Sequence, residues 1–576
     1  MKRIEHYRRL QEPPFNSSER EHVTIILGGL TWKHERLIKA VLNRSGYLAE
    51  YLPQADREAH EIGKEYCASG LCNPAYFVAG NLIKRLRQLE AEGLSREEIV
   101  KNYVYFTAGT TGPCRYGMYE DEIRSALHAA GFSGFRIILF LQEHGVKASS
   151  GHSGMQFSVD FGLSALHAVV LGDLLNDLQR KLGAYEVVPG DADRMIVALV
   201  DELVEYFRTT PHFDLAEQAP RWLRGWLQRH RSHASFRVLN TLCKIHVHLN
   251  GSALLTELRK CRQILSTMEV DRLRLRPLVK IIGEFWAQLT EGDGNFRMFE
   301  FLQREGAEVA VEPISCWLLY LLFLAKQRLD LQLRLAGQEH PWSKPMEAFR
   351  IRAKIVWKRG LFSATEYIYK RHYKRLASAL GDITTPLSPQ KKLAALAAPH
   401  YSTFLRGGEG HLEVGKNIYY TASRKCHMVL ALKPFGCLPS TQSDAVQASL
   451  VERNPEMIFA SIETAGDGEI HAYSRVQMAL ADAKESARQE FETVLRSSQL
   501  TIEQIREFLA EQPELRSASY RVSRRDGVIS TSANFLLDVR EKMQSERTAR
   551  DTFSVRQRSS SGLRIPTISS QENDHV

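Results

Sequence analysis

The chain has 576 residues, of which 44% are hydrophobic and 25% are charged, and its formal net charge at pH 7 is +9. This ordinary globular composition excludes a disordered or fibrous protein, and the length exceeds that of one typical domain. The net positive charge favours acidic or phosphate-bearing partners, but basic and acidic residues are interspersed, so the charge identifies no particular partner. No nucleic-acid-binding motif is present.

Residues 1–7 are charged and precede no apolar run, so the sequence predicts no signal peptide. The most apolar segment, 314–325, is too short to cross a bilayer and predicts a buried core helix. We therefore expect a soluble, cytoplasmic protein without a membrane or nucleic-acid partner. Its eight cysteines should then be reduced thiols that serve either as core residues or as metal ligands.

The first part of the chain predicts a polar N-terminal arm, 1–20, followed by an α/β lobe, 21–165. Strands are predicted at 23–27, 47–52, 103–106 and 135–141, with helices from about 33, at 81–92 and at 120–130. Strands that alternate with helices indicate a parallel sheet with helices on its faces.

Residues 166–275 differ in composition, because Leu, Ala and Val recur at helical spacing while glycines and β-branched clusters thin out. This pattern predicts a mainly helical insertion. Its predicted core residues are Trp222, Trp226, Leu254, Leu258 and Ile264.

Alternation returns in residues 276–500, which predict a second α/β lobe. Strands are predicted at 278–283, 308–311, 427–432 and 457–462, and helices at 296–305, 314–326, 343–380 and 473–496. Residues 501–540 form a further extension, and the Ser/Arg/Gln-rich residues 541–576 predict a disordered tail. The expected fold class is α/β, with two Rossmann-like parallel-sheet lobes around a cleft.

Three short segments combine a cysteine with proline, and two of them add glycine. They are 72–74 (Cys-Asn-Pro), 110–117 (Thr-Thr-Gly-Pro-Cys-Arg-Tyr-Gly) and 433–440 (Lys-Pro-Phe-Gly-Cys-Leu-Pro-Ser). The second and third follow predicted strands, where open α/β sheets bind ligands, and the first precedes a helix, whose N-terminus favours a thiolate. Glycine lets the backbone approach an inorganic core, and nearby N–H groups stabilise negative sulfur. We therefore take Cys72, Cys114 and Cys437 as candidate cluster ligands.

Two other interpretations of these cysteines stay open. Each could be a small hydrophobic residue in a turn. A zinc site is the other, and the separation of Cys67 from Cys72 by four residues permits, but does not require, a ligand pair. The remaining cysteines lie in apolar contexts and are interpreted as structural: Cys243, Cys261, Cys316 and Cys426.

The three cysteine loops, in this order, resemble those of proteins related to 2-hydroxyacyl-CoA dehydratase subunits and to acyl-CoA dehydratase activases. Other segments that resemble this family are 28–35 (Gly-Gly-Leu-Thr-Trp-Lys-His-Glu), 282–284 (Ile-Gly-Glu), 295–296 (Asn-Phe), 306–313 (Gly-Ala-Glu-Val-Ala-Val-Glu-Pro), 409–415 (Glu-Gly-His-Leu-Glu-Val-Gly) and 467–469 (Asp-Gly-Glu). The resemblance covers about residues 20–485, with a less familiar middle. Gly-Pro-Cys-Arg followed by Pro-Phe-Gly-Cys is fairly specific, whereas either motif alone is weak.

The resemblance implies a [4Fe–4S] cluster, or a linked double cubane, held by Cys72, Cys114 and Cys437, with Cys67 as a further candidate ligand. The three sulfur atoms should then lie within roughly 7 Å of one another. It also implies low-potential electron transfer to a bound substrate in anaerobic metabolism, driven by a separate activase-type ATPase. The chain itself has no Walker-type phosphate loop.

The resemblance also implies pairing with a second copy or with a related subunit. Two alternatives to an iron–sulfur enzyme stay open. The first is a non-catalytic electron-transfer or accessory protein. The second is a structural zinc or metal-free binding module.

Two residues are weak candidates for catalysis. Glu284 follows a strand-end glycine and could act as an acid or base, or could simply favour a helix N-terminus. His152 borders a glycine-containing stretch that could form an active-site loop, although a lone loop histidine is more often part of a polar surface.

Overall fold

The computed structural model describes residues 12–110, 112, 114–141, 155, 158–339, 345–405 and 407–560. Within them the protein is an α/β structure with two four-stranded parallel sheets and many helices. This confirms the α/β class and the parallel sheets that the alternating pattern predicts.

The N-terminal sheet has the strand order β2-β1-β3-β4. Its strands are β1 (Thr24–Leu27), β2 (Leu48–Tyr51), β3 (Tyr103–Gly109) and β4 (Arg136–Leu141). Its helices are α1 (Trp32–Arg44), α2 (Arg57–Tyr66), α3 (Asn73–Ala91), α4 (Arg96–Asn102) and α5 (Tyr119–Ala129). Consecutive residues Ile25 and Ile26 of β1 are both fully buried, because helices cover both faces of a parallel sheet.

A helical insertion follows the first sheet. Its helices are α6 (Val159–Tyr185), α7 (Asp191–Thr209), α8 (Leu215–Gln218), α9 (Arg221–Arg229), α10 (Ala234–Asn250) and α11 (Ala253–Leu265). The prediction that Trp222 and Trp226 are core residues is wrong, because their side chains are 81% and 54% exposed. The short helix α9 instead turns Leu223 and Leu227 inwards, towards a small cluster that includes Phe236.

Among the described residues, α6 alone is long and apolar enough to cross a membrane by length and composition, and 67% of its apolar window is buried inside the protein. A core helix passes the same test. Within α6 the buried carboxylate of Asp173 accepts hydrogen bonds from the backbone N–H groups of Ile314 and Ser315, at 2.7 and 2.8 Å. These contacts are those of a helix packed in a protein core.

The C-terminal sheet has the strand order β6-β5-β7-β8, the same permutation as the first sheet. Its strands are β5 (Leu278–Gly283), β6 (Glu308–Ala310), β7 (Met428–Pro434) and β8 (Phe459–Thr464). Its helices are α12 (Met298–Arg304), α13 (Ile314–Glu339), α14 (Pro345–Ala379), α15 (Gln390–Ala397), α16 (His411–Ala422), α17 (Leu438–Arg453) and α18 (Glu469–Ser498). The apolar helix predicted at 314–326 therefore continues to Glu339.

The C-terminal extension is helical. It comprises α19 (Ile502–Ala510), α20 (Pro513–Arg516) and α21 (Thr531–Ser560). The expected disordered tail from residue 541 differs from the structure, in which α21 continues to Ser560; residues 561–576 lie outside the described residues. The start of α21 buries Phe535, Leu536 and Val539 in a separate cluster, from which the polar half of the helix extends.

Candidate functional site

Two candidate ligands and one candidate acid follow strands at the switch points of the sheets. In the first sheet β2 lies on one side of β1 and β3 on the other, so the strand order switches sides between β1 and β3. In the second sheet it switches between β5 and β7. Open α/β sheets bind ligands beyond the carboxyl ends of the strands at such points. Cys114 follows β3, Glu284 directly follows β5, and Cys437 lies in the loop after β7.

Cys72 reaches the same region from the N-terminus of α3. It is the N-cap residue of that helix, and Pro74 occupies the first turn, where a missing N–H costs nothing. The thiol is buried, and its Sγ lies 2.9 Å from the hydroxyl oxygen of Tyr119. Helix α3 thus begins at Asn73, eight residues before the helix predicted at 81–92.

The loops of Cys72 and Cys437 are in direct contact, although they belong to different sheets. The backbone N–H of Asn73 donates a hydrogen bond to the carbonyl of Phe435, at 3.1 Å. Gly436 has a φ of 77°, and a Cβ built there would lie 3.1 Å from the carbonyl oxygen of Leu71. The glycine is therefore required both by its backbone conformation and by the close approach of the two loops.

Cys437 is the N-cap residue of α17 and is also buried. Its Sγ donates a hydrogen bond to the hydroxyl of Ser440 at 3.3 Å, and this hydroxyl in turn donates to Glu413 Oε1 at 2.8 Å. A second serine hydroxyl, that of Ser443, donates to the other oxygen of the same carboxylate. Helix α16 thereby supplies an acidic residue behind the sulfur of α17.

Cys114 lies at the start of a short 3-10 helix, Arg115–Met118, and is half-buried. Burial, with the charges of Glu409, Glu284 and Cys72 acting in the same direction, raises the pKa of its thiol to about 12. Cys114 therefore lies close enough to interact electrostatically with Cys72 of the N-terminal half and with Glu284 and Glu409 of the C-terminal half. Its neighbours at positions 111 and 113 lie outside the described residues.

All three thiols are protonated at neutral pH in the ligand-free protein. Burial raises the pKa of Cys72 and of Cys437 as well, and in both cases the carboxylate of Glu284 raises it further. Any metal that binds here must therefore displace three protons, so loading will depend on pH.

Three buried carboxyl groups lie beside the thiols. Burial raises the pKa of Glu284 to about 7, with the Glu413 carboxylate acting in the same direction and two backbone hydrogen bonds against it. Burial, followed by the charges of Glu284 and Glu413, holds the pKa of Glu409 well above its usual range. Burial also raises the pKa of Glu413, against the hydrogen bonds from the two serines. The group therefore carries fewer than three negative charges at neutral pH.

Backbone donors fix two of these carboxyl groups at the end of β5. The N–H of Ala287 donates to Glu284 Oε2 at 2.9 Å, and the N–H of Phe285 donates to Glu409 Oε1 at 3.0 Å. The sequence singles out Glu284 but not Glu409 or Glu413. The sequence feature that contains Glu409 and Glu413 is the glycine-containing segment 409–415, but its pattern does not show that their carboxyl groups are buried.

Of the other predicted site residues, Cys67 packs against the hydrophobic cluster that contains Cys72, and His152 lies outside the described residues. Cys67 ends α2, and burial followed by the Glu122 carboxylate raises the pKa of its thiol to about 12. Cys261, Cys316 and Cys426 are buried, which agrees with their interpretation as structural residues, whereas Cys243 is half-buried. In the part of the chain that the structure describes, no three His, Cys, Asp or Glu side chains are grouped as metal ligands.

A small cavity of about 40 Å³, which neither the three cysteines nor the three carboxyl groups line, lies between the two halves of the chain. It is lined by residues of both halves of the chain, among them Glu35, Asn81, Tyr105 and Trp286. Burial raises the pKa of Glu35 to about 8. The cavity holds no more than a few waters, so a larger ligand would require the sheets to separate.

No protein-family model matches the chain, and no curated protein matches its sequence. The family resemblance therefore depends on the motifs quoted above.

Proposed function

We propose that this chain is an iron–sulfur protein in which Cys72, Cys114 and Cys437 hold a [4Fe–4S] cluster, or part of a linked double cubane, in a cleft between two Rossmann-like lobes. When bound, the cluster would supply low-potential single-electron transfer to a bound substrate. A separate ATPase, and a second copy or a related subunit, belong to the proposal through the family resemblance alone.

The observation that carries the proposal is the convergence of three cysteine loops from both sheets. The hydrogen bond from Asn73 to Phe435 joins two of the loops, and the charge of Cys72 raises the pKa of the Cys114 thiol. The three cysteines are not grouped closely enough to hold a single metal ion. This does not weigh against a cluster, because a cubane separates its ligands more widely than a zinc ion, whose Zn–S bonds are about 2.3 Å.

The chain's own groups fit the charge of such a cluster. Cys72 and Cys437 cap the N-termini of α3 and α17, where free N–H groups and the helix dipole favour negative sulfur. The hydroxyl of Tyr119 lies 2.9 Å from the sulfur of Cys72 and can donate a hydrogen bond to it as a thiolate. A hydrogen bond of this kind stabilises the negative charge of a ligating sulfur.

Glu284 favours an enzyme over a simple electron carrier. Its carboxyl group lies at the end of β5, acts electrostatically on all three thiols, and has a pKa of about 7. A group with such a pKa can both release and accept a proton at neutral pH, as an acid–base residue must. A plain carrier has no need of it.

The proposal is tested by iron and sulfide analysis of anaerobically purified protein. We expect about four irons or more per chain in the wild type, and loss of most of this iron in Cys114→Ser. Cys243→Ser is the matched control, because this half-buried thiol lies on α10, outside the site, and its loss should leave the iron content unchanged.

Other metal contents would reject the cluster. One zinc per chain that survives aerobic purification and is lost in Cys114→Ser would establish the zinc-site alternative. A folded wild type with neither metal would leave the metal-free binding module.

A further inference from the structure

Helix α14 carries large apolar side chains on the face that points away from the protein core. Ile355, Tyr369 and Tyr373 are buried on its inner face. The outer residues, with exposed fractions of 45% to 68%, are Met346, Phe349, Val356, Trp357, Leu361, Tyr367 and Ile368. At 3.6 residues per turn these seven residues lie within an arc of about 140°, opposite the buried face, and we call them the outer stripe.

Basic side chains flank the outer stripe. Helix α14 contains nine Lys or Arg residues and two Glu residues. Seven of the basic residues form no ion pair with the described carboxylates, among them Arg350, Arg352, Lys354 and Lys358. The stripe therefore combines exposed apolar area with uncompensated positive charge.

The neighbouring helix α13 fixes this orientation and adds to the surface. Lys326 of α13 pairs with Glu366, and Asp330 of α13 pairs with Arg359. These ion pairs lie between the two helices. Beyond them, Leu331 and Leu335 of α13 are also exposed, at 40% and 46%.

A second copy of the chain is a poor occupant of the outer stripe, because an isologous contact would bring the basic flanks of both helices together. An anionic lipid surface satisfies both features. Aromatic and aliphatic side chains on one face, flanked by Lys and Arg, are typical of helices that lie in the membrane interface. The exposed Trp222 and Trp226 on the arginine-rich helix α9 have the same chemistry.

We propose that the outer stripe of α14 binds the surface of a membrane rich in anionic lipid. Phe349, Trp357 and Leu361 enter the interfacial layer, while Lys354 and Lys358 contact the headgroups. This differs from the expectation, drawn from the sequence, that the protein has no membrane partner. It is independent of the proposed cluster site, which lies on other elements.

The test is cosedimentation of the full chain with phosphatidylserine–phosphatidylcholine vesicles, compared with pure phosphatidylcholine vesicles. We expect binding to the anionic vesicles that weakens as salt is added. The change Lys354→Glu/Lys358→Glu should lower the partition coefficient by about thirtyfold or more, because it removes the attraction of two basic residues to the anionic surface. Phe349→Ser/Trp357→Ser should also abolish most of the binding.

The matched control is Ile470→Ser/Met478→Ser on α18, which removes two apolar side chains that are more exposed than Phe349 and Trp357 but lie away from the stripe, and it should bind as the wild type does. Failure of the wild type to bind anionic vesicles would overturn the proposal, and so would binding that both stripe variants retain. A concentration-dependent dimer that Phe349→Ser/Trp357→Ser dissociates would identify a second copy as the occupant and reject the lipid.

Discussion

At the scale of single residues, burial decides the chemistry of the candidate site. The cysteines could be found from the sequence, because each lies beside proline in a loop of unusual composition. Glu409 and Glu413 could not, because nothing in their local pattern distinguishes a buried carboxyl group from a solvated one. Their raised pKa values follow from desolvation by residues distant in sequence.

Gly436→Ala should destabilise the protein and lower its iron content. A non-glycine residue at a φ of 77° costs roughly 1 kcal/mol, and the added Cβ would also press on the carbonyl of Leu71. Gly70→Ala is the control for backbone strain alone, since it has a φ of 82° but no atom within 4 Å of the added Cβ. Urea unfolding measures both variants; equal losses of stability would refute the close approach of the two loops.

Glu284→Gln should remove a carboxyl group that titrates near pH 7 while leaving the iron content intact, because glutamine still accepts the hydrogen bond from Ala287. Infrared difference spectra between acidic and alkaline protein measure the protonated carboxyl band. We expect a wild-type band that disappears around pH 7 and is missing from the variant. An identical band in both proteins would assign this titration to another residue.

At the scale of elements, apolar runs locate the strands well and the helix boundaries less well. The run Leu278–Gly283 is predicted and observed with the same bounds, because both faces of this central strand are buried. Helix α3 begins well before its predicted start, since Pro74 marks the first turn of a helix as well as a loop. Residue type predicts Trp222 and Trp226 in the core, but the buried face of their helix is narrower and is formed by leucines.

The packing of α6 against α14 depends on neutral histidines. The rings of His167 on α6 and His372 on α14 stack with centroids 4.8 Å apart, and both are buried. Burial lowers the pKa of His372 to about 4 and holds that of His167 well below its usual range. The other charged or titratable groups that act on His167 are His248, Arg44 and Asp160.

Stability should therefore fall as the pH drops from about 6.5 to about 4. In this window the unfolded chain binds protons on these histidines and the folded chain does not, at a cost of roughly 1.4 kcal/mol for each pKa unit. Urea unfolding at several pH values should show a shallower acid dependence for His372→Leu than for the wild type. His246→Leu, an exposed change on α10, should keep the wild-type slope. Equal slopes in all three proteins would contradict neutral burial.

At the scale of the whole molecule, the two sheets share one strand permutation without a visible sequence repeat. The sequence predicts two parallel sheets because each half alternates strands with helices. It does not predict which loops meet, because the contact between Asn73 and Phe435 joins residues separated by more than half the chain. The site therefore forms only when the two halves of the chain assemble, and its proposed function depends on whether it binds a cluster.

The most direct test of this account is electron paramagnetic resonance of the anaerobically purified, dithionite-reduced protein. We predict the spectrum of a reduced cubane in the wild type and in Cys243→Ser, and its loss in Cys114→Ser. A wild type that is folded by circular dichroism but gives no such spectrum, with no iron bound, would contradict the cluster at Cys72, Cys114 and Cys437.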